Sequence, residues 1–171
     1  MKNTEIGFAP IVGENPKLLI LGSMPGKESL RKGQYYANQR NAFWIIMGRL
    51  LKFDPNISYE KRKEILKENY IALWDVLKTC EREGSRNSSI DNTTGSVNDF
   101  LSFYTKYPTI KHVFFNGAKA EKVYKKEVLP VLQSKHQEIK YIRLPSTSPA
   151  MTRLTKEEKL VQWSAILNKL K

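Results

Sequence analysis

Four short stretches of this 171-residue chain concentrate side chains whose types and spacing could do chemistry. The first is Gly22-Ser23-Met24-Pro25-Gly26, a small-residue turn directly after the apolar run Leu18-Leu19-Ile20-Leu21. The second, Tyr35-Tyr36-Ala37-Asn38-Gln39-Arg40-Asn41-Ala42-Phe43-Trp44, puts aromatics, an arginine and two asparagines side by side. The third and fourth are Asn116-Gly117-Ala118-Lys119-Ala120 and Leu144-Pro145-Ser146-Thr147-Ser148-Pro149-Ala150. Small residues let a backbone approach a ligand closely, and aromatic faces stack on flat rings. Amides both donate and accept hydrogen bonds. Singly the loops are weak signals: Gly-x-x-Pro-Gly is a common turn, and a Ser/Thr loop can satisfy its own backbone. No Gly-x-x-x-x-Gly-Lys-[Ser/Thr] occurs and no Gly-x-Gly-x-x-Gly follows a strand, which argues against nucleoside-triphosphatase and dinucleotide chemistry. The lone Cys80 excludes an internal disulfide and a cysteine-rich zinc site. His112 and His136 have no carboxylate or cysteine at metal-ligand spacing, so no metal is implied.

Alternating apolar runs and amphipathic stretches position these loops. Residues 17–22, 71–77, 111–116 and 138–144 read as strands. Residues 41–52, 59–69, 96–107 (capped by Ser96) and 117–132 read as helices. Thr155 and Glu158 form a capping box that starts a final helix, with Leu160, Val161, Trp163, Ile166, Leu167 and Leu170 as its apolar face. Residues 79–94 are polar and aperiodic and read as one long loop. Strands separated by helices predict a three-layer α/β/α sandwich around a central, mainly parallel four-stranded sheet. The expected organisation is one domain over residues 1–171. In such a sheet the loops after residues 22, 116 and 144 lie on one rim, where ligands bind.

Charge points to the class of partner. Lys and Arg number 29 against 17 Asp and Glu, a net charge of +12, and a field of that sign attracts polyanions. No apolar run approaches the roughly 20 residues of a membrane span, and no helix sets basic residues opposite an apolar face. The first residues lack the apolar core of a signal peptide. The expectation is an intracellular, cytoplasmic protein that contacts nucleic acid.

In combination the motifs are more specific. Gly22-Ser23-Met24-Pro25-Gly26, Tyr36-Ala37, Asn41-Ala42-Phe43-Trp44 and the late Pro145-Ser146 resemble the uracil-DNA glycosylase superfamily. Tyr35-Tyr36, Arg40-Asn41, Trp74-Asp75, Cys80-x-Arg82-x-Gly84-Ser85 and the Leu144–Ala150 loop look like its hypoxanthine (deoxyinosine) branch. There are two departures from the uracil enzymes. Met24 stands where relatives hold a catalytic Asn or Asp, and Leu144 where many hold a histidine before Pro-Ser. A methionine can neither orient a water nor hydrogen-bond a base.

The resemblance implies a monofunctional enzyme that flips a deaminated base, hypoxanthine first, out of double- or single-stranded DNA and hydrolyses its glycosidic bond. It implies no cofactor, simple hydrolysis because no lysine matches a nucleophile position, and action as a monomer. Asn41 is the expected catalytic amide; capping of the helix that follows is its other role, and both can hold. Gly22, Ser23, Met24, Tyr36 and Asn116 are the expected base-binding set, with Tyr36 as stacking platform and Asn116 as reader. Their alternatives are a core aromatic and a turn asparagine. Pro25, Gly26, Lys27, Ser29, Arg40, Pro145, Ser146, Thr147, Ser148, Pro149 and Ala150 are expected on the DNA, with Arg31 and Lys32 adding charge. Met151 is expected as the wedge in the vacated stack, with core packing as its rival. Asp75 and Glu28 are the carboxylates available as a general acid, though each also reads as structural. Two other readings stay open, a uracil or mismatch glycosylase and a non-catalytic binder of damaged DNA.

Overall fold

The computed structural model describes residues 3–82, 90–132 and 134–171. Along the chain run β1 (Asn3–Ile6), β2 (Leu18–Gly22), α1 (Lys27–Lys32), α2 (Phe43–Leu51), α3 (Tyr59–Glu68) and β3 (Ile71–Asp75). They are followed by β4 (Leu77–Arg82), β5 (Ile90–Val97), α4 (Phe100–Lys106), β6 (His112–Asn116) and α5 (Ala118–Glu127). The chain then forms α6 (Leu129–Leu132), β7 (Lys140–Leu144), α7 (Lys156–Trp163) and α8 (Ala165–Asn168).

The central sheet has the order β3-β2-β6-β7, and every pairing in it is parallel. β2 is buried throughout, as expected of a strand covered on both faces. One face of the sheet, with Leu19, Leu21, Val113 and Phe115, packs against Phe103, Tyr104, Val123 and Tyr124 of α4 and α5. The other face, with Leu18, Ile20 and Phe114, packs against Ile46, Met47, Leu66, Trp163 and Ile166 of α2, α3, α7 and α8. These are the three layers the alternation predicts.

Register builds the rim. Gly22 pairs with Asp75, and Asn116 with Leu144, so the four strands end level and their loops emerge together.

The polar stretch 79–94 departs from the single-loop reading. β4 and β5 pair antiparallel, and β4 also pairs with β1, giving a second sheet of order β1-β4-β5. Its residues lack a period-2 pattern because long-range backbone pairing holds them, and register shifts interrupt β4. Gly84 and Ser85 lie outside the described residues. Ser96 is not a helix cap: it sits in β5, where its Oγ lies 2.7 Å from Thr79 Oγ1. Asp99 caps α4 instead, accepting from Ser102 N–H. The expected helix over 117–132 divides at Val128 into α5 and α6, next to Pro130, whose ring nitrogen cannot donate. After the Gly22–Gly26 turn, Lys27–Lys32 form the short helix α1. Thr155 and Glu158 make the reciprocal capping box that starts α7. Val161, however, is 72% exposed, because it lies about 200° around α7 from buried Trp163.

Candidate functional site: a cleft at the carboxyl rim of the sheet

The level strand ends open a cleft of about 850 Å³. Its floor is Gly22 and Asp75, its walls are Tyr36, Asn41 and Asn116, and the 145–151 loop forms one lip. Gly22 is required by contact. A β-carbon built there would lie 2.5 Å from Asp75 Oδ1 and 2.8 Å from the Tyr36 hydroxyl. Asp75 is 4% exposed, a carboxylate set at the bottom of the cleft.

Tyr36 occupies left-handed backbone, φ 53°, a conformation uncommon outside glycine and asparagine and held only where surroundings enforce it. Two contacts enforce it. Its ring stacks on Phe43 with centroids 4.1 Å apart, and its hydroxyl accepts from Asn116 Nδ2 at 3.0 Å. Burial, reinforced by the Asp75 carboxylate, pushes the Tyr36 phenol well above its usual range, so it stays protonated. Tyr35 is different: buried, it donates its hydroxyl to Ala9 O and receives the Trp44 indole N–H on its carbonyl, both fixing the backbone.

Asn116 ends β6 at the centre of the rim, but its amide is largely committed. Nδ2 donates to the Tyr36 hydroxyl and to Thr147 Oγ1 (2.9 Å), while Oδ1 accepts the Thr147 N–H at 2.9 Å. Both donor hydrogens are spent, leaving one acceptor lone pair. The residue expected to read a base is therefore first a clamp between Tyr36 and the fourth loop.

Asn41 lines the same cleft and caps locally, its Oδ1 accepting the Phe43 N–H at 2.9 Å. Its Nδ2 donates to no group among the described residues. Both roles expected of Asn41 are thus compatible. Met24 lines the cleft by position, yet it is 4% exposed and belongs to the apolar cluster with Leu19 and Trp74. Gly22 and Ser23 accept backbone bonds from Val76 and Leu77, which ties the first turn to the β3–β4 connection.

Of the residues expected on DNA, Gly26, Lys27, Arg40, Ser146, Ser148, Pro149 and Ala150 surround the mouth, while Pro25 lines the cleft from a buried position. Ser29 and Thr147 line the cleft too, but they are buried and structural. Ser29 Oγ accepts the Ala37 N–H, and Thr147 binds Asn116 as above while its carbonyl accepts the Ala42 N–H. Burial takes both from the DNA-contacting set and makes them anchors. Pro145 does not line the cleft, because its carbonyl is turned to the Trp163 indole N–H. Met151 borders a second cavity of about 440 Å³ on the other side of the loop, with Arg40, Lys156 and Lys159.

Glu28 cannot serve as a general acid. Arg31, at 2.7 Å, and Lys32, at 3.4 Å, hold its exposed carboxyl down at about 2, so it is ionised at any working pH. Among the described residues no group of three or more His, Cys, Asp and Glu is placed to hold a metal. No described helix is long and apolar enough to cross a membrane.

A family model described as the uracil DNA glycosylase superfamily matches residues 9–171. The chain belongs to the uracil DNA glycosylase superfamily. Within that superfamily it is 39% identical over 161 residues to a hypoxanthine DNA glycosylase of Methanosarcina acetivorans, covering 94% of this chain and 96% of that one. A second, from Methanosarcina barkeri, is 40% identical over 154 residues, covering 90% and 92%. The solution NMR structure of a candidate uracil DNA glycosylase from Methanosarcina acetivorans superimposes with a TM-score of 0.81 at 37% identity, covering 98% of this chain and 99% of that one.

Two residues at the site carry more than the sequence reading gave them. Asp75 could be named as an available carboxylate, but its place on the floor depends on pairing with β2. Lys159 was not singled out at all. It is 4% exposed on α7 and donates to the carbonyls of Ser148 (3.3 Å) and Met151 (2.9 Å). A signal was present: position 159 lies one turn before Trp163 and two before Ile166, on the buried stripe.

Proposed function

We propose that this DNA glycosylase releases hypoxanthine from deoxyinosine in DNA by simple hydrolysis, acting as a monomer on double- or single-stranded DNA. The observation that carries the reading is the division of the first two motifs. Met24 borders the cleft but packs its side chain into the core, while Tyr36, Asn41 and Asn116 bring their polar groups to that same cleft. The two archaeal relatives named for this base add to it.

The flipped base stacks on the face of Tyr36 that Phe43 leaves uncovered; such stacking is worth about 1–3 kcal/mol per base. The Phe43 contact and the Asn116 bond keep that ring from turning away when the site is empty. Asn41 uses its remaining N–H groups to hold the attacking water or the sugar dipole near C1′. One water is consumed: its hydroxyl goes to C1′ and its other proton to N9 of the departing purine. Arg40 and Lys27 at the mouth neutralise phosphates, and Met151 fills the vacated stack as an apolar wedge.

Excision assays on matched duplexes carrying deoxyinosine or deoxyuridine test the base. Hypoxanthine release should dominate, and uracil release far above it overturns the assignment. Asn41→Ala should lower single-turnover release by about 10²–10³-fold, the range for a lost preorganised donor. Full activity in that variant removes Asn41 from the chemistry.

A further inference from the structure

We propose that Lys159 is the positioning residue for the Met151 wedge, an assignment that rests on the glycosylase reading above. Loop 145–151 offers four carbonyls to other elements, and one of them, Ser148 O, also accepts the Met151 N–H within the loop at 3.0 Å. Thr147 O accepts from Ala42 N–H, Pro145 O from the Trp163 indole, and Ser148 O and Met151 O from Lys159 Nζ. The hydroxyls serve the inner face: Ser146 Oγ accepts Ser148 N–H, and Ser148 Oγ accepts Ala150 N–H. α7 thus grips residues 145, 148 and 151 from two side chains one helical turn apart, at 159 and 163.

A lysine is an expensive choice for a buried anchor. A charged group loses hydration on burial, and no carboxylate among the described residues pairs with this one. The return is a single ammonium with three donors that can hold two carbonyls three residues apart, which no apolar side chain could do. Charge assistance makes such bonds stronger than neutral ones. Lys159 therefore sets where the Met151 backbone sits before DNA arrives. Arg40 and Lys156 border the same second cavity, so the groove beside Met151 suits the backbone of a duplex.

Opening a base pair in a duplex requires something to hold the gap, whereas a base in a single strand is already unstacked. Preorganising the wedge therefore helps on duplex DNA and gives little on single strands. That difference separates positioning from general stability. Rates are measured for wild type and Lys159→Met on one sequence carrying deoxyinosine, as duplex and as single strand. The duplex-to-single-strand ratio of kcat/KM should fall at least tenfold, with single-strand activity within about threefold of wild type. Met151→Ala should lower the same ratio, and the double variant should fall no further than Met151→Ala alone, since both act through one element.

An equal loss on both substrates, or additive effects in the double variant, overturns the proposal. If Lys159→Met does not fold, Lys159→Gln, which keeps a donor for one carbonyl, is read by the same ratio. A wild type that releases no hypoxanthine from either substrate defeats the base assignment instead. The ratio of binding constants for duplex and single strand carrying a tetrahydrofuran abasic analogue then decides on Lys159.

Discussion

The turn after β2 and the loop after β7 face each other across one cleft and are held by different means. The first is fixed from beneath by close packing and backbone bonds: Met24 is in the apolar core, Gly22 is pressed between Asp75 and the Tyr36 hydroxyl, and Gly22 O and Ser23 O accept from Val76 and Leu77. The second is fixed by polar bonds from Asn116, Lys159 and Trp163 and by its own hydroxyls. The apolar turn makes a rigid floor with little chemistry of its own. The polar loop makes a lip whose conformation depends on partners from two other elements, β6 and α7. Position 24 thus holds an apolar side chain packed into the core, and the amide of Asn41 lies on the neighbouring wall of the cleft.

Several substitutions would break or sharpen that contrast. Gly22→Ala should be the most damaging to activity, because its methyl must displace Asp75 or Tyr36. Misplacement on the order of 1 Å can cost about 10²-fold in rate, measurable by single-turnover excision, beside an overpacking cost of about 1–3 kcal/mol in denaturant titration. Met24→Asn restores the residue type of the uracil enzymes, yet position 24 lies in an apolar cluster. It should cost roughly 2–4 kcal/mol of unfolding free energy without conferring uracil release. Uracil excision in that variant would show that the turn can swing into the cleft.

Thr147→Val keeps the shape of the loop but removes the acceptor for Asn116 Nδ2. The cost should be about 1–3 kcal/mol in denaturant titration, with Tyr36 losing part of its orientation and KM rising more than kcat falls. Glu28→Gln should be the mildest. With its carboxyl at about 2, Glu28 stays ionised as long as the pH is above that value. Its stabilising pairing with Arg31 and Lys32 is present above the ordinary carboxylate range and is lost as pH falls toward 2. The pH–rate profile between 5 and 9 should therefore be unchanged to within about threefold.

Much of this arrangement was legible along the chain because it depends on local periodicity. The continuous apolar run of β2, the capping residues of α7 and the small-residue turns each carry their own signal. The second sheet was not legible. Residues 79–82 and 90–97 are polar and become strands only because β1 and each other supply backbone partners. Asn116 was readable as a rim residue, but the commitment of its donors to Tyr36 and Thr147 was not, since Thr147 is 31 residues away. Lys159 draws no notice along the chain because lysines seldom sit on buried stripes.

By itself the sequence determined the layered α/β class, the rim on which the loops gather and the partner's charge, while the resemblance to the uracil enzymes implied the loss of their catalytic group at position 24. These follow from residue type and short-range spacing. Only the tertiary structure decided which groups remain available for chemistry. Hydrogen-bond partners come from distant elements, and a side chain whose donors are already satisfied has little left to offer a substrate.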